Sequence, residues 1–286
     1  MDTPPEKIPE IAVAELIDRY SVFLLDAYGV IMRGSAALPG APGLIAELDR
    51  RGKRYYVMTN DASALPSTRA ERLQGLGLPV GPDRIITSGA LLVGYFEANN
   101  LSGSRCVVLG PEDSSRYVEL AGGRVVPPTD DFDAIVIGDQ SGFPFLETLD
   151  ALMSALFHKV DRQEDVRLIL PNPDLIYPDG DQGYGVASAS VALILEAALE
   201  LRYPDRPDLR FVRLGKPHPA IFAEALRRSG TMDMVMMGDQ LETDIRGAND
   251  FGIDSVLVDT GVSNSATETS GRSGPRPTYR LRSLES

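Results

Sequence analysis

Short apolar runs alternate with amphipathic stretches along most of the chain. The runs end in polar residues, as buried strands of a parallel sheet do; examples are "VFLLD", "YYVMTN" and "DAIVIGD". Between the first two, Leu44, Ile45 and Leu48 recur at helical spacing, and Gly52 is a plausible helix stop. Strands that alternate with helices predict βαβ units. We therefore expect an α/β fold with a Rossmann-like parallel-sheet core.

This alternation is interrupted and then resumed. A second series of strands and helices begins near Ser88 and ends before the proline-rich stretch "RYPDRPDLR". The runs "RCVVLG", "DAIVIGD" and "RLILPNPD" predict its strands, and "GVASASVALILEAALEL" predicts a helix. The simplest organisation is a core domain of residues 1–87 and 205–286, interrupted by an inserted α/β cap domain at residues 88–204.

Charge and composition narrow the range of partners. The chain of 286 residues has a formal net charge of −13 at pH 7, which argues against nonspecific binding of nucleic acid. No run approaches the roughly 18 apolar residues of a membrane helix, and the polar N-terminus "MDTPPEKIPE" does not have the pattern of a secretion signal. The single cysteine, Cys106, fits a buried strand in a reducing compartment. We expect a soluble cytoplasmic protein with a small-molecule ligand.

Several predicted strands of the core end in residues that can carry chemistry. Ligands of open parallel sheets bind beyond the carboxyl ends of the strands, so we expect these residues to share one site. Taken singly, each has a structural explanation, since aspartate and asparagine suit caps and turns and lysine suits the surface. Their joint occurrence at strand ends favours function. The residues are Asp26, Thr59, Asn60, Lys216, Asp239 and Asp244.

This set of side chains suits the transfer of a phosphoryl group. A carboxylate such as Asp26 can attack phosphorus and form an aspartyl-phosphate. Lys216 supplies positive charge and Thr59 a hydroxyl donor for the charged oxygens of the transferred group. Asp26 and Asp239 offer hard oxygen ligands of the kind that Mg²⁺ takes alongside a substrate phosphate. The residues therefore predict magnesium-dependent phosphoryl transfer.

Four segments of the chain resemble the haloacid dehalogenase (HAD) superfamily of phosphatases. They read "LLDAYGVI", "VMTN", "GKPHPAIF" and "MGDQLETDIRGANDFGIDSVLVDTG". The insertion between the second and third, with "NPDLIYPDG" near its end, is similar to the large cap of the class IIA branch, which includes pyridoxal-phosphate, sugar-phosphate and para-nitrophenyl-phosphate phosphatases. The resemblance runs from about Val22 to Leu284. It implies a phosphoric monoester hydrolase that acts on a small phosphorylated metabolite with Mg²⁺ as its cofactor.

The resemblance also implies a role for each matching residue. It implies that Asp26 is the nucleophile and a metal ligand, and that Asp239 and Asp244 belong to the metal site. Thr59 and Asn60 would bind the phosphate, and Lys216 would bridge nucleophile and phosphate. Asn172 and Asp174 of the cap would face the leaving group. Because many relatives pair through the cap, a homodimer through this domain is a further expectation.

The chain departs from the family pattern at Tyr28. Phosphatases of this superfamily usually carry aspartate two residues after the nucleophile, where it protonates the leaving oxygen and later activates water. The backbone carbonyl of Tyr28, which the resemblance implies as a metal ligand, survives the change. A phenol, however, is almost wholly protonated at neutral pH and is a poor general base. General acid–base assistance is worth about 10²–10⁴ in rate, so we expect a slow or restricted enzyme.

Three explanations of Tyr28 stay open. The enzyme could act on esters with good leaving groups, which need little protonation. A cap carboxylate such as Asp174, Asp179 or Asp181 could supply the missing proton transfer. Alternatively, the protein could be a catalytically impaired module that binds a phosphate ligand or a partner. The intact nucleophile, lysine and acidic motif favour retained phosphatase chemistry.

Overall fold

The computed structural model describes residues 8–129, 131–179, 183–259 and 274–285. Its α-helices are α1 (Val13–Arg19), α2 (Ala41–Arg50), α3 (Pro66–Gly75), α4 (Leu91–Ala98), α5 (Glu112–Leu120), α6 (Phe145–Asp161), α7 (Ser188–Arg202), α8 (Pro219–Ser229) and α9 (Arg246–Phe251). A 3₁₀ turn spans Pro82–Arg84 and a π-helical turn spans Leu241–Ile245. None of these helices is both long enough and apolar enough to cross a membrane.

The strands alternate with the helices through most of the chain. They are β1 (Val22–Asp26), β2 (Met32–Arg33), β3 (Ala36–Ala37), β4 (Arg54–Thr59), β5 (Ile85–Thr87), β6 (Arg105–Leu109), β7 (Arg124–Val125), β8 (Ala134–Ile137), β9 (Arg167–Leu170), β10 (Ile176–Asp179), β11 (Gly183–Val186), β12 (Val212–Arg213), β13 (Met234–Gly238), β14 (Asp254–Val258) and β15 (Tyr279–Leu281).

Strand β1 lies near the centre of the first sheet, whose strand order is β15-β14-β13-β1-β4-β5. It pairs in parallel with both β13 and β4, and all five of its residues are buried. A strand that is covered on both faces is apolar along its length, because neither face meets water. Phe23 and Leu25 of β1 pack in one core with Leu16 of α1 and Leu44 of α2.

A second parallel sheet forms in the inserted region, with strand order β12-β9-β8-β6-β7. Its strand β8 is buried throughout and pairs in parallel with β6 and β9. Leu152 and Leu156 of α6 and Leu195 of α7 belong to a separate hydrophobic core. Cys106 of β6 is buried, as predicted. Parallel sheets combined with helices confirm the predicted Rossmann-like α/β class.

Residue contacts divide the described chain into two units. The first unit contains the described residues up to Thr59, residues 66–86 and the described residues from Lys216 onward. The second unit contains residues 60–65 and 87–215.

This division differs from the predicted boundaries in three places, one of which is the single residue Thr87, which groups with the second unit. Residues 60–65 group with the second unit, where the Ser114 hydroxyl donates to the Ala62 carbonyl oxygen at 2.8 Å. Residues 205–215 also group there, because β12 pairs in parallel with β9. The assignment of residues 88–204 as a cap that sets substrate specificity stays a prediction.

An antiparallel hairpin, β10–β11, precedes α7 at a point where the sequence predicts the start of a helix. Gly185 lies opposite Tyr177 in this hairpin, and a Cβ at Gly185 would come within 2.3 Å of Tyr177 Cζ. The glycine therefore allows the tyrosine ring to lie against the neighbouring strand. Helix α7 begins only at Ser188, so the prediction of a helix that starts near Gly185 is wrong.

Candidate active site

Asp26 lies at the carboxyl end of β1, which delivers its carboxylate to the edge of the first sheet. The four residues before it are apolar and fully buried, and Asp26 itself is only 6% exposed. In the register of β1 with β4, Asp26 pairs with Met58. Thr59, the last residue of β4, is therefore one residue beyond this pair, and it is buried as well. The sheet thus brings Asp26 and Thr59 to the same edge, as the sequence predicts.

Lys216 is buried between two carboxylates of the first unit. Its Nζ donates to Asp26 Oδ1 at 2.5 Å and to Asp244 Oδ1 at 2.7 Å. It also donates to the Met58 carbonyl oxygen at 3.3 Å. An ammonium group has three donors, so these acceptors fix both its position and its orientation. The lysine is held beside the predicted nucleophile.

Asp239 and Asp244 follow β13, the strand next to β1. The π-helical turn after β13 folds the chain back, so that Asp244 Oδ2 accepts a hydrogen bond from the Gln240 backbone N–H at 3.2 Å. Gly238 makes this return possible, because a Cβ there would come within 2.2 Å of Asp244 Cβ. Both carboxylates are buried, Asp239 at 1% exposure.

The carboxylates of Asp26, Asp239 and Asp244 form a group that fits a metal ion. One oxygen from each lies within 4.8 Å of the others, and all three residues are buried. Gly29 has a φ of +83°, and a Cβ there would come within 2.2 Å of Asp239 Oδ2. The backbone therefore approaches this carboxylate more closely than a larger residue would allow. Buried carboxylate oxygens are the hard ligands that suit Mg²⁺.

In this cluster, three buried carboxyl groups accompany the buried ammonium group of Lys216. Burial raises the pKa of Asp26 well above its ordinary value; Lys216 opposes this rise, whereas Asp244 and Asp239 add to it. Burial alone would lower the pKa of Lys216, but Asp244 and Asp26 raise it above its ordinary value. The lysine is therefore charged and is surrounded by more carboxylates than it can neutralise. A bound divalent cation would offset the excess negative charge.

Tyr28 lies two residues beyond the predicted nucleophile, and it is 38% exposed. Its backbone forms a β-bridge with Met32. The Arg69 guanidinium lies over the Tyr28 ring, with Cζ 5.9 Å from the ring centroid. Arg69 is not among the site residues predicted from the sequence. Its spacing could have indicated burial, because Arg69 lies four residues before the buried Leu73 and so shares its face of α3.

The remaining predicted site residues belong to the second unit, where they lie together. The Asn60 side-chain amide donates to Asp174 Oδ1 at 2.8 Å. The Asp174 backbone N–H in turn donates to Asn172 Oδ1 at 3.0 Å. Asp179 ends β10, and Asp181 lies outside the described residues. The functional roles assigned to these residues stay predictions.

Comparison with known proteins identifies the family of the chain. A model described as haloacid dehalogenase-like hydrolase matches residues 23–124. A second, HAD-hydrolase-like model matches residues 213–286. Together the two matches contain every residue of the buried cluster. The chain belongs to the HAD-like hydrolases. The predicted family is confirmed.

The matches to similar HAD-like proteins extend over nearly the whole chain. The dihydroxyacetone phosphatase of Corynebacterium glutamicum (strain R) is 27% identical over 266 residues, which are 92% of this chain and 88% of that protein. A solved structure from Cytophaga hutchinsonii, described as a possible sugar phosphatase of the HAD superfamily, has a TM-score of 0.83 and 29% identity, and the match covers 97% of this chain and 99% of that one. The glycerol phosphate phosphatase of Mycobacterium tuberculosis, solved in complex with magnesium, has a TM-score of 0.80 and 25% identity over 94% of this chain and 77% of that one.

Proposed function

We propose that the protein is a magnesium-dependent phosphatase of small phosphomonoesters that works through an aspartyl-phosphate on Asp26. The observation that carries this proposal is the buried cluster in which Lys216 bonds to both Asp26 and Asp244. Such a cluster is costly for folding, because each ion must leave water. Its position at the carboxyl ends of parallel strands, where ligands bind, supports a catalytic use instead.

Relatives support the class of enzyme. They include a dihydroxyacetone phosphatase, acid sugar phosphatases and a glycerol phosphate phosphatase, so the protein is a phosphoric monoester hydrolase of the HAD type. Its substrate is a small phosphorylated metabolite, and we propose a phosphorylated sugar or polyol. Contact of Asn172 and Asp174 with the substrate, a homodimer through the cap and a cytoplasmic location stay predictions.

In the proposed reaction, a carboxylate oxygen of Asp26 attacks phosphorus, and the bond from phosphorus to the ester oxygen breaks. Lys216 orients the Asp26 carboxylate and reduces its repulsion from the anionic substrate. Thr59 would donate its hydroxyl to a phosphate oxygen. Mg²⁺ held by Asp26, Asp239 and Asp244 would offset the charge on the transferred group. Water then attacks the phosphorus of the aspartyl-phosphate, which releases inorganic phosphate and restores the carboxylate.

Proton transfer is the step in which this chain would differ from other HAD phosphatases. The Tyr28 hydroxyl would protonate the leaving oxygen, and the phenolate would then recover a proton from the attacking water. The second transfer is the weaker of the two, because a phenol is a poor general base at neutral pH. We therefore propose slow turnover or a preference for good leaving groups.

Phosphate release from a panel of phosphomonoesters tests this function. The panel contains dihydroxyacetone phosphate, glycerol phosphate, hexose phosphates and para-nitrophenyl phosphate, each assayed with Mg²⁺ and with chelator. Wild type is compared with Asp26→Asn, which keeps the shape of the side chain and removes its charge. We expect release that requires both Mg²⁺ and Asp26. Acid-quenched wild type should also gain the mass of one phosphoryl group, and Asp26→Asn should not.

A failure of Asp26-dependent release would favour the binding-module alternative. Inorganic phosphate with Mg²⁺ should then still raise the melting temperature of the wild type. The variant Tyr28→Asp separates the two cases further. If the missing carboxylate limits turnover, this change should raise kcat by up to about 10²-fold. An unchanged kcat would mean that another group already transfers the proton.

A further inference from the structure

Arg69 occupies a position that folding alone does not favour. It lies in the first turn of α3 and is only 3% exposed. Arginine is rarely buried to this extent, because the guanidinium must give up its hydration. The amino-terminal end of a helix also disfavours a cation, since the helix dipole is positive there. Both effects oppose this placement, which suggests that the side chain has a use beyond stability.

The guanidinium of Arg69 faces an aromatic ring at the candidate active site. Its Cζ lies 5.9 Å from the centroid of the Tyr28 ring, within the range of a cation–π contact. Such contacts are stronger when the cation is shielded from water, as Arg69 is. Helix α3 therefore places a buried positive charge against the residue that stands where the family usually has its acid–base carboxylate.

The backbone of Tyr28 is fixed by hydrogen bonds, whereas its side chain is less restricted. The backbone is held by the β-bridge to Met32 and by the adjacent Gly29 N–H, which donates to the Met32 carbonyl oxygen at 2.9 Å. The side chain, in contrast, is partly open to solvent. A partly exposed ring can rotate between rotamers, and each rotamer carries the hydroxyl to a different place. A contact on one ring face restricts this choice.

We propose that Arg69 is a positioning residue that holds the Tyr28 ring in the orientation used for proton transfer to the leaving oxygen. This inference rests on the proposed phosphatase function. It assigns Arg69 no contact with the substrate, so its removal acts on the rate of the chemical step. Proper placement of a reacting group matters, because a misplacement of about 1 Å can cost about 10²-fold in rate.

A double-mutant cycle tests this role. Arg69→Met keeps an unbranched side chain that suits a buried helical position, and Tyr28→Leu removes the ring. In the presence of Tyr28, we expect Arg69→Met to lower kcat about three- to thirtyfold, the range that a cation–π contact is worth, with KM within about twofold. In the Tyr28→Leu background, the same change should alter kcat less than about twofold, because no ring remains to be held.

Two further variants control for structural effects. Arg72→Gln changes an exposed arginine of the same helix, and its kcat should match that of wild type. Arg69→Lys keeps a cation and should recover part of the rate lost in Arg69→Met. Equal loss of kcat in both tyrosine backgrounds would overturn the proposal, since Arg69 would then act independently of Tyr28. A raised KM in both backgrounds would also overturn it and would indicate direct contact with the substrate anion.

A second readout does not depend on turnover. Tyrosines are labelled with ¹³C in the ring, and the Tyr28 resonance is identified by its loss in Tyr28→Phe. We expect Arg69→Met to shift and broaden this resonance, whereas Arg72→Gln leaves it unchanged. An unmoved Tyr28 resonance would overturn the proposal. If wild type lacks Asp26-dependent phosphate release, the proposed phosphatase function fails, and the resonance still decides whether Arg69 holds the ring.

Discussion

Two strands of this protein share an apolar pattern and the tripeptide Gly-Asp-Gln, but the aspartates that follow them have different surroundings. "DAIVIGDQ" runs through β8 of the second unit, and "DMVMMGDQ" runs through β13 of the first unit. Both are buried strands of a parallel sheet, and in both the tripeptide Gly-Asp-Gln follows the apolar residues of the strand. Sequence pattern alone would give the two aspartates, Asp139 and Asp239, the same function.

The surroundings of the two aspartates separate them. Asp139 Oδ1 accepts hydrogen bonds from the Ser141 backbone N–H at 2.9 Å and from the Ser141 hydroxyl at 2.6 Å, so it closes its own turn. Burial raises the pKa of Asp139 above its ordinary value, and Asp61 is a smaller contributor. Asp239 instead meets carboxylates from β1 and from the turn after β13. Convergence of separate strand ends, rather than the tripeptide Gly-Asp-Gln, makes the candidate site.

Among the described residues, the buried lysines Lys159 and Lys216 differ in the same way as the two aspartates. Lys159 of α6 donates to Asp131 at 2.8 Å and to Glu164 at 2.6 Å, and both acids are partly exposed to solvent. Lys216 meets two carboxylates that are themselves buried. Water can solvate the acids of the first network but not those of the second. The charge of Lys216 therefore acts at close range on whatever enters the site.

Substitutions of Asp239 and Asp139 should give the largest difference in phosphate release between matched variants. Asp239→Asn should lower magnesium-dependent phosphate release by about 10³-fold or more, because a bound metal contributes several kcal/mol to the transition state. Asp139→Asn keeps an oxygen that can accept from Ser141, so its kcat should stay within about twofold of wild type. Steady-state kinetics at saturating Mg²⁺ measure both. Equal losses would mean that the strand motif itself carries the function.

The two lysines give the next largest difference. Lys216→Met should lower kcat by about 10²–10³-fold, the usual cost of removing a preorganised charge from a transition state. It should also make stability depend more steeply on Mg²⁺ than in wild type, since Asp26 and Asp244 lose their ammonium partner. Lys159→Met should leave kcat unchanged and have a smaller effect on stability. Kinetics and urea unfolding with and without Mg²⁺ test this. A magnesium-independent unfolding midpoint for Lys216→Met would contradict the expected metal site.

Alanine substitutions of two glycines distinguish backbone strain from an effect on metal binding. Gly29→Ala places a Cβ against Asp239 at a φ of +83°, so it should cost about 1–2 kcal/mol and raise the Mg²⁺ concentration needed for half-maximal activity. Gly142→Ala has a similar φ of +87° but meets the backbone of Pro111 instead. It should lower the melting temperature without changing the magnesium requirement. Parallel shifts in magnesium requirement for both variants would remove Gly29 from the site.

The smallest expected effect concerns acid stability. Hydrogen bonds from Lys159 and then Arg105 lower the pKa of Asp131 to about 2. Those from Arg162 and then Lys159 lower the pKa of Glu164 to about 2. A carboxylate with a lowered folded-state pKa stabilises the protein above its unfolded pKa and loses this effect as the pH falls through the folded pKa.

We therefore expect the free energy of unfolding to fall between about pH 5 and pH 2. The fall should be less steep in Lys159→Met, which removes a shared partner of the two acids. Urea unfolding across this range measures the slope. Identical slopes for wild type and Lys159→Met would show that Lys159 contributes nothing to the lowered pKa values.

Much of the fold and the site was accessible from local patterns. The run before Asp26 predicts a strand covered on both faces, because a strand that is apolar at every position has no face toward water. Parallel pairing then places the ends of β1, β4 and β13 at one edge, so Asp26, Thr59 and Asp239 were predicted to lie there before any distance was known. Parallel strands run in the same direction, so their carboxyl ends must lie at the same edge of the sheet.

Features that depend on contacts between distant residues were not accessible in this way. The hairpin β10–β11 replaces a predicted helical start, because a tyrosine from one strand packs over a glycine of the other. The burial of Arg69 and its contact with Tyr28 depend on how α3 packs into the core of the first unit. Lys216 reaches Asp26 across 190 residues of sequence and reaches Asp244 through a π-helical turn. Periodicity encodes which face of an element is buried, whereas the partner that it meets there depends on the packing of the whole unit.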